Sequence, residues 1–154
     1  MYWYGECYHT GSAIMDLGLE KNAQRTLIKT LDEMVPVFKR LEAWMRFFGY
    51  PGRDKFAVHL ALQEAVMNAI QHGNRGQPDT HVKVTYLVTP AEVLLQVEDQ
   101  GSGFKPNDVP NPIVNQNLSR PGGRGIPLMR ANSTWVNFNP KGNRVTLCRQ
   151  RSTP

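Results

Sequence analysis

Cysteine is nearly missing from the chain. Cys7 and Cys148 are the only two in 154 residues, near opposite ends and without metal-ligand spacing, which excludes a disulfide framework and a thiolate zinc site. Both are expected to be reduced, structural thiols. No apolar run approaches the roughly 18 residues that a membrane-spanning helix needs, so a soluble protein without membrane attachment is expected. The N-terminal "MYWYGECYHTGSAIM" lacks the basic start and long apolar stretch of a secretory signal, which points to the cytoplasm. Its aromatics fit three readings: packing on the domain, partial disorder, or a start placed too early, with Met15 nearer the true one. Dense basic clusters interleaved with aromatics are also missing. The net charge of +5 is spread along the chain, and only "RVTLCRQR" near the C-terminus is compact, which argues against direct nucleic-acid binding. Internal repeats are absent, and the length suits one domain with a real hydrophobic core.

The residues that are present alternate between strand and helix signals. "AQRTLIKT" (Ala23 to Thr30) reads as a short strand in which Leu27 alternates with polar neighbours. Met34, Val35, Phe38, Leu41, Met45 and Phe48 recur at threes and fours, the stripe of a core-facing helix, until "GYPGR" stops it. Asp54 is placed to cap a second helix running from about Lys55 to His72, with Gly73 as a left-handed terminator. Two strands follow, "HVKVTYLVT" and "VLLQVED", with Val82, Val84, Tyr86 and Val88 on one face of the first and Val93, Leu95 and Val97 on one face of the second. "RGIPLMRAN" resumes a short helix that tolerates Pro127 in its first turn, and "WVNFNPKGNRVTLCRQ" reads as a hairpin. The order predicts an α+β two-layer sandwich, a mixed, mostly antiparallel sheet with helices on one face.

Three stretches stand out chemically. On the second helix Glu64, Asn68 and His72 recur every four residues along the flank of a core face made by Val58, Leu62, Ala65, Val66 and Ala69. Small Ala57 and Ala61 continue that line and leave room, which suits a pocket wall; a plain polar helix edge fits the same pattern. Period-two alternation points Asp99 the way Val93, Leu95 and Val97 point, and a carboxylate ending a core-facing row needs a partner because an unpaired buried charge is costly. From Gln100 to Gly123 the chain is rich in Gly, Pro, Asn and Ser, and a loop of that length is either a functional lid or disordered. Gly122, Gly123 and Gly125 then precede a helix, where free backbone N–H groups suit phosphate.

Glu64-x-x-x-Asn68-x-x-x-His72-Gly73, Asp99-x-Gly101-x-Gly103-Phe104 and Gly123-Arg124-Gly125-Ile126 resemble, in order, the N, G1 and G2 boxes of the GHKL ATPase superfamily. That superfamily joins gyrase, heat-shock chaperone, histidine kinase and mismatch-repair ATPases through the Bergerat fold. "NAIQHGN", the brief lid, "GRGIPLMR" and "VNFNPKGNRVTL" are most similar to its bacterial anti-sigma-factor serine kinases, over roughly Ala23 to Arg149. The resemblance implies an ATP-binding domain over 23–150 between an N-terminal segment, 1–22, and a tail, 151–154. It also implies ATP and Mg²⁺ as cofactors, Asp99 accepting a hydrogen bond from the adenine amino group, and Asn68 coordinating Mg²⁺ through its side-chain oxygen. Gly101, Gly103 and Phe104 would pass close to the nucleotide, and Gly123, Arg124, Gly125 and Ile126 would meet its phosphates. Glu64 would be the general base. His72 is left between ordering the lid or phosphates and serving as a favourable partner for the helix dipole.

The activity so implied is that of a serine/threonine-protein kinase acting as an anti-sigma factor, with a sigma factor and an anti-sigma-factor antagonist as partners and a homodimer as its assembly. Two other readings stand beside it: a nucleotide-dependent binding module without kinase activity, and an ATPase domain belonging to a larger regulatory system. The Pro- and Asn-rich lid, Pro127 and the first 15 residues depart from the family pattern.

Overall fold

The computed structural model describes residues 22–104 and 125–153. Among them five strands form one sheet in the order β1-β2-β3-β5-β4, and every neighbouring pair is antiparallel. The strands are β1 (Gln24–Ile28), β2 (Val82–Val88), β3 (Glu92–Glu98), β4 (Trp135–Phe138) and β5 (Arg144–Gln150). The expected α+β sandwich is present, with an all-antiparallel rather than mixed sheet in the described residues.

Among the described residues three α-helices, α1 (Val35–Phe47), α2 (Gly52–Asn68) and α3 (Gly125–Asn132), supply the second layer. α1 packs on β2, α2 lies over β3 and β5, and α3 packs along α2 beside β4. The core between the layers takes Val82, Val84 and Tyr86 from β2, Val93, Leu95 and Val97 from β3, and Val145 and Leu147 from β5, the alternate residues that the period of two selects. On the opposite face Lys83 pairs with Glu98 at 2.6 Å, and Gln96 donates to the Thr146 hydroxyl at 3.1 Å.

Several local expectations are corrected. Leu27 is 58% exposed and Ile28 is wholly buried, so β1 reaches the core with its last residue. In α1 the buried stripe is Val37, Leu41 and Met45 behind Met34, while Val35 faces water. A 3₁₀ turn over Leu31–Met34 precedes the helix.

Asp54 is no cap. α2 begins at Gly52 with Pro51 before it and no side-chain cap, and Asp54, 0% exposed, turns inward instead. There Arg149 of β5 donates to Oδ1 from Nε at 3.0 Å and from a terminal nitrogen at 2.7 Å, while Ser152 gives its amide at 2.7 Å and its hydroxyl at 2.8 Å. Burial raises the Asp54 pKa, but these donors outweigh it and the net shift is downward. The tail is thereby fastened to the start of α2, with further bonds from Arg151 to the Phe48 carbonyl and from Arg53 to the Thr153 carbonyl.

Gly73 is not left-handed either. After Asn68 the helix widens into a π-helical turn, Ala69–Gly73, closed by the Asn74 amide donating to the Ala69 carbonyl at 2.8 Å. The left-handed residues lie just beyond, at Arg75 (φ 52°) and Gly76 (φ 66°).

Candidate functional site

A recess of about 310 Å³ opens where the C-terminal end of α2, the end of β3, the start of α3 and the β4–β5 turn converge. Its volume lies at the lower end of the roughly 300–1,000 Å³ usual for small-molecule sites. Apolar side chains such as Val97, Ile126, Met129 and Phe138 wall it, and Asn68, His72, Asp99 and Arg144 bring polarity.

Asp99 sits where the alternation of β3 places it, one step beyond Val97 on the core-facing row. Its neighbours explain its position. A Cβ on Gly73 would stand 2.6 Å from Asp99 Oδ1 and closer to the rest of the carboxylate, so only glycine lets the π-helical turn and Asp99 meet. The Gly101 N–H donates to Oδ1 at 2.8 Å, and Asp99 lines the recess. Burial raises the Asp99 pKa against the lowering effect of that amide and of the Lys141 cation. The carboxylate is therefore under-compensated, as its place at the end of an apolar row requires.

Two buried asparagines hold the segment that carries Asp99. Asn143 donates from its side chain to the Asp99 carbonyl at 2.9 Å, and its own carbonyl accepts from the Asp99 amide at 2.9 Å. Asn74 accepts from the Gln100 amide at 2.9 Å and donates to the His81 carbonyl at 3.0 Å. Neither was singled out from the sequence. The available signals were the turn "NPKGN" and the asparagine immediately after the His72-Gly73 pair. Gly103 (φ 78°) and Gly142 (φ 76°) let the same two loops touch: a Cβ on Gly103 would meet the Lys141 carbonyl group, and one on Gly142 that of Phe104. The Phe104 ring packs edge-on against Phe138, 5.3 Å between centroids.

The structure thus gathers Asn68, His72, Asp99, Gly103, Phe104 and Ile126 around one recess. Gly101 lies just below, packed on the Gly73 carbonyl. Gly125 opens α3 against Asn68, where an added Cβ would stand 2.6 Å from Nδ2. The Asn68 carboxamide has no hydrogen bond among the described residues and borders the recess. Glu64 lies one turn before it, half-buried, outside the described wall. Ala57 and Ala61 are packed in the core, and the small residues that open the recess are Ala65 and Ala69. Gly123 and Arg124, with the loop before them, lie outside the described residues.

Among the described residues no group of three His, Cys, Asp or Glu side chains could cage a metal ion. The donor set fits instead a hard cation held by a single carboxamide oxygen, with its other ligands from phosphate and water, as Mg²⁺ permits. No helix there is long and apolar enough to cross a membrane.

The helix-backed antiparallel sheet and its carboxylate-floored recess define a two-layer α/β domain of the ATPase kind. The chain belongs to the histidine kinase-like ATPase domain family, which it matches over residues 28–149, and nucleotide binding is the property that the domain implies. It is 29% identical over 83 residues to the serine/threonine-protein kinase BtrW of Bordetella bronchiseptica, a match covering 53% of this chain and 58% of that protein. Its fold is similar to the crystal structure of the RsbU and RsbW domains of Rv1364c from Mycobacterium tuberculosis, with a TM-score of 0.56 and 18% identity over 85% of this chain and 33% of that one. The GHKL resemblance and the expected fold class are borne out.

Proposed function

We propose that the protein is an ATP-binding serine/threonine kinase acting as an anti-sigma factor, which phosphorylates an anti-sigma-factor antagonist and alternates between that antagonist and a sigma factor. The nucleotide half of this reading rests on one observation, Asp99 lining an apolar recess with a glycine packed against its carboxylate. A carboxylate there accepts from the 6-amino group of adenine and repels guanine, whose carbonyl stands at that place. The partner half is supported by the three ordered boxes and by a relative named as a serine/threonine-protein kinase.

In this reading Asn68 would hold Mg²⁺ through its side-chain oxygen, and the ion would supply charge neutralisation at the phosphates. The N-terminus of α3 at Gly125 would present backbone amides to the phosphates, and the family resemblance adds Gly123 and Arg124 to that contact. Ile126 and Phe104 line the same recess. Glu64 takes the proton from the substrate serine as its oxygen bonds to the γ-phosphorus and the bond to the bridging oxygen of ADP breaks. His72, at the recess rim, contacts the phosphates or the segment covering them.

The place of Glu64 outside the described wall favours a second reading, a nucleotide-dependent binding module that holds a partner without phosphorylating it. Incubation with radiolabelled ATP and an antagonist-type substrate separates the two. Phosphoserine on the substrate is expected; bound ATP with no transfer refutes the kinase and leaves the module. A homodimer belongs to the same proposal and is tested by light scattering.

A further inference from the structure

A second cavity, about 320 Å³, lies between α1 and the first turns of α2, and shares no lining residue with the recess just described. Phe56 at this cavity and Asn68 at the other are 12 residues apart on one helix, about 18 Å. The floor is buried Leu41, Met45 and Val58. At its edge the Phe38 and His59 rings lie stacked, centroids 3.7 Å apart and planes within 13°. Phe56, one turn before His59 on the same side of α2, is 69% exposed. A large aromatic left in water beside an apolar hollow marks a surface that another molecule covers.

Two charged residues line it, Glu42 of α1 and Lys55 of α2. Glu42 is the exposed acid of α1, and it is already paired with Arg46 at 2.8 Å. Asp54 is buried under Arg149. Lys55 on the wall, and Lys39 next to Phe38 along α1, form no ion pair among the described residues. A concave apolar hollow between two helices takes side chains from a third helix, whereas a lipid surface needs a flat or convex apolar face.

We infer that the α1–α2 groove docks an acidic amphipathic helix of a protein partner, with an apolar anchor entering beside the Phe38–His59 stack and carboxylates meeting Lys39 and Lys55. This rests on the groove and its charge, and stands or falls independently of the nucleotide reading.

The test uses the full chain as bait for a displayed library of helical peptides about 15 residues long. Selected peptides are expected to carry aromatic or leucine residues spaced by three or four, flanked by Asp and Glu. Affinity should fall at least about tenfold for Phe56→Ser and for Lys55→Glu, and a charge-swapped Lys peptide should bind Lys55→Glu better than the unmodified chain. Amide NMR shifts on adding the selected peptide to the unmodified chain should centre on residues 38, 56 and 59. Basic or unpatterned peptides, shifts centred elsewhere, or unchanged affinity in either variant would overturn the proposal. So would Phe56-dependent binding to phosphatidylserine vesicles in place of the peptide, which would assign the face to a membrane.

Discussion

Asp99 and Asp54 are both drawn into the protein, with opposite consequences. Burial raises the Asp99 pKa, so its protonated form is favoured by folding: the stability linked to it is present at low pH and lost as pH rises through the raised value. Asp99→Asn removes that cost while keeping an acceptor for the Gly101 amide. Its melting temperature at pH 7 should equal or exceed that of the unmodified protein. ATP affinity, measured by calorimetric titration, should fall about 10- to 100-fold with loss of a hydrogen bond to a charged acceptor. Asp54 has the lowered value, so its contribution is present above the usual carboxylate range and is lost as pH falls through the lowered pKa. Asp54→Ala strands the Arg149 guanidinium and should cost about 3–5 kcal/mol in urea unfolding, with the loss vanishing in strong acid. Glu64→Ala carries the mechanistic test: ATP binding intact and phosphoryl transfer down about 10²- to 10⁴-fold, whereas unchanged transfer removes Glu64 from the reaction.

Among the elements, the loops around Asp99 depend on glycine more than the helices do. Gly73→Ala drives a methyl into the Asp99 carboxylate and should destabilise the fold by about 1–3 kcal/mol while abolishing measurable ATP binding, checked by melting and titration on the same sample. The strands were legible from sequence because a period of two has one solution once a face is buried: Val82 to Val88, Val93 to Val97 and the β4–β5 hairpin all stand as read. Asp99 followed from the same alternation. What escaped were features fixed by distant partners. Asp54 looked like a cap because its true ligands, Arg149 and Ser152, lie at the other end of the chain. Asn74 and Asn143 looked like ordinary turn residues because their bonds to residues 99 and 100 exist only when two loops meet. Val37 over Val35 was legible too: at 100° per residue Val37 stands about 40° from Leu41 and Val35 about 120° from it, so a strict helical period already buries Val37.

At the scale of the whole molecule, one sheet and one helical layer share a single core, and the recess is built from both. Ligand binding should therefore stabilise the domain as a unit. ATP with Mg²⁺ at about 100 times its Kd should add about 2.7 kcal/mol and raise the melting temperature by about 5–10 °C, while GTP should leave it unchanged. An equal shift with GTP would remove Asp99 as the base-reading group.

The π-helical turn at Ala69–Gly73 carries a consequence for how this chain tolerates insertions and deletions. In an uninterrupted α-helix five residues advance about 500°, which would turn Gly73 about 140° away from Asn68. The wider turn brings the two back to one side, so the carboxamide and the glycine under Asp99 both face the recess. It behaves as one extra residue spliced into the helix. Removing a single residue from this turn would restore regular winding with the glycine four residues after Asn68, about 400° on and so on the same side, still under Asp99. Keeping all five residues while winding them as regular α-helix would swing Gly73 out from under Asp99, so length and winding between Asn68 and Gly73 are tied to each other.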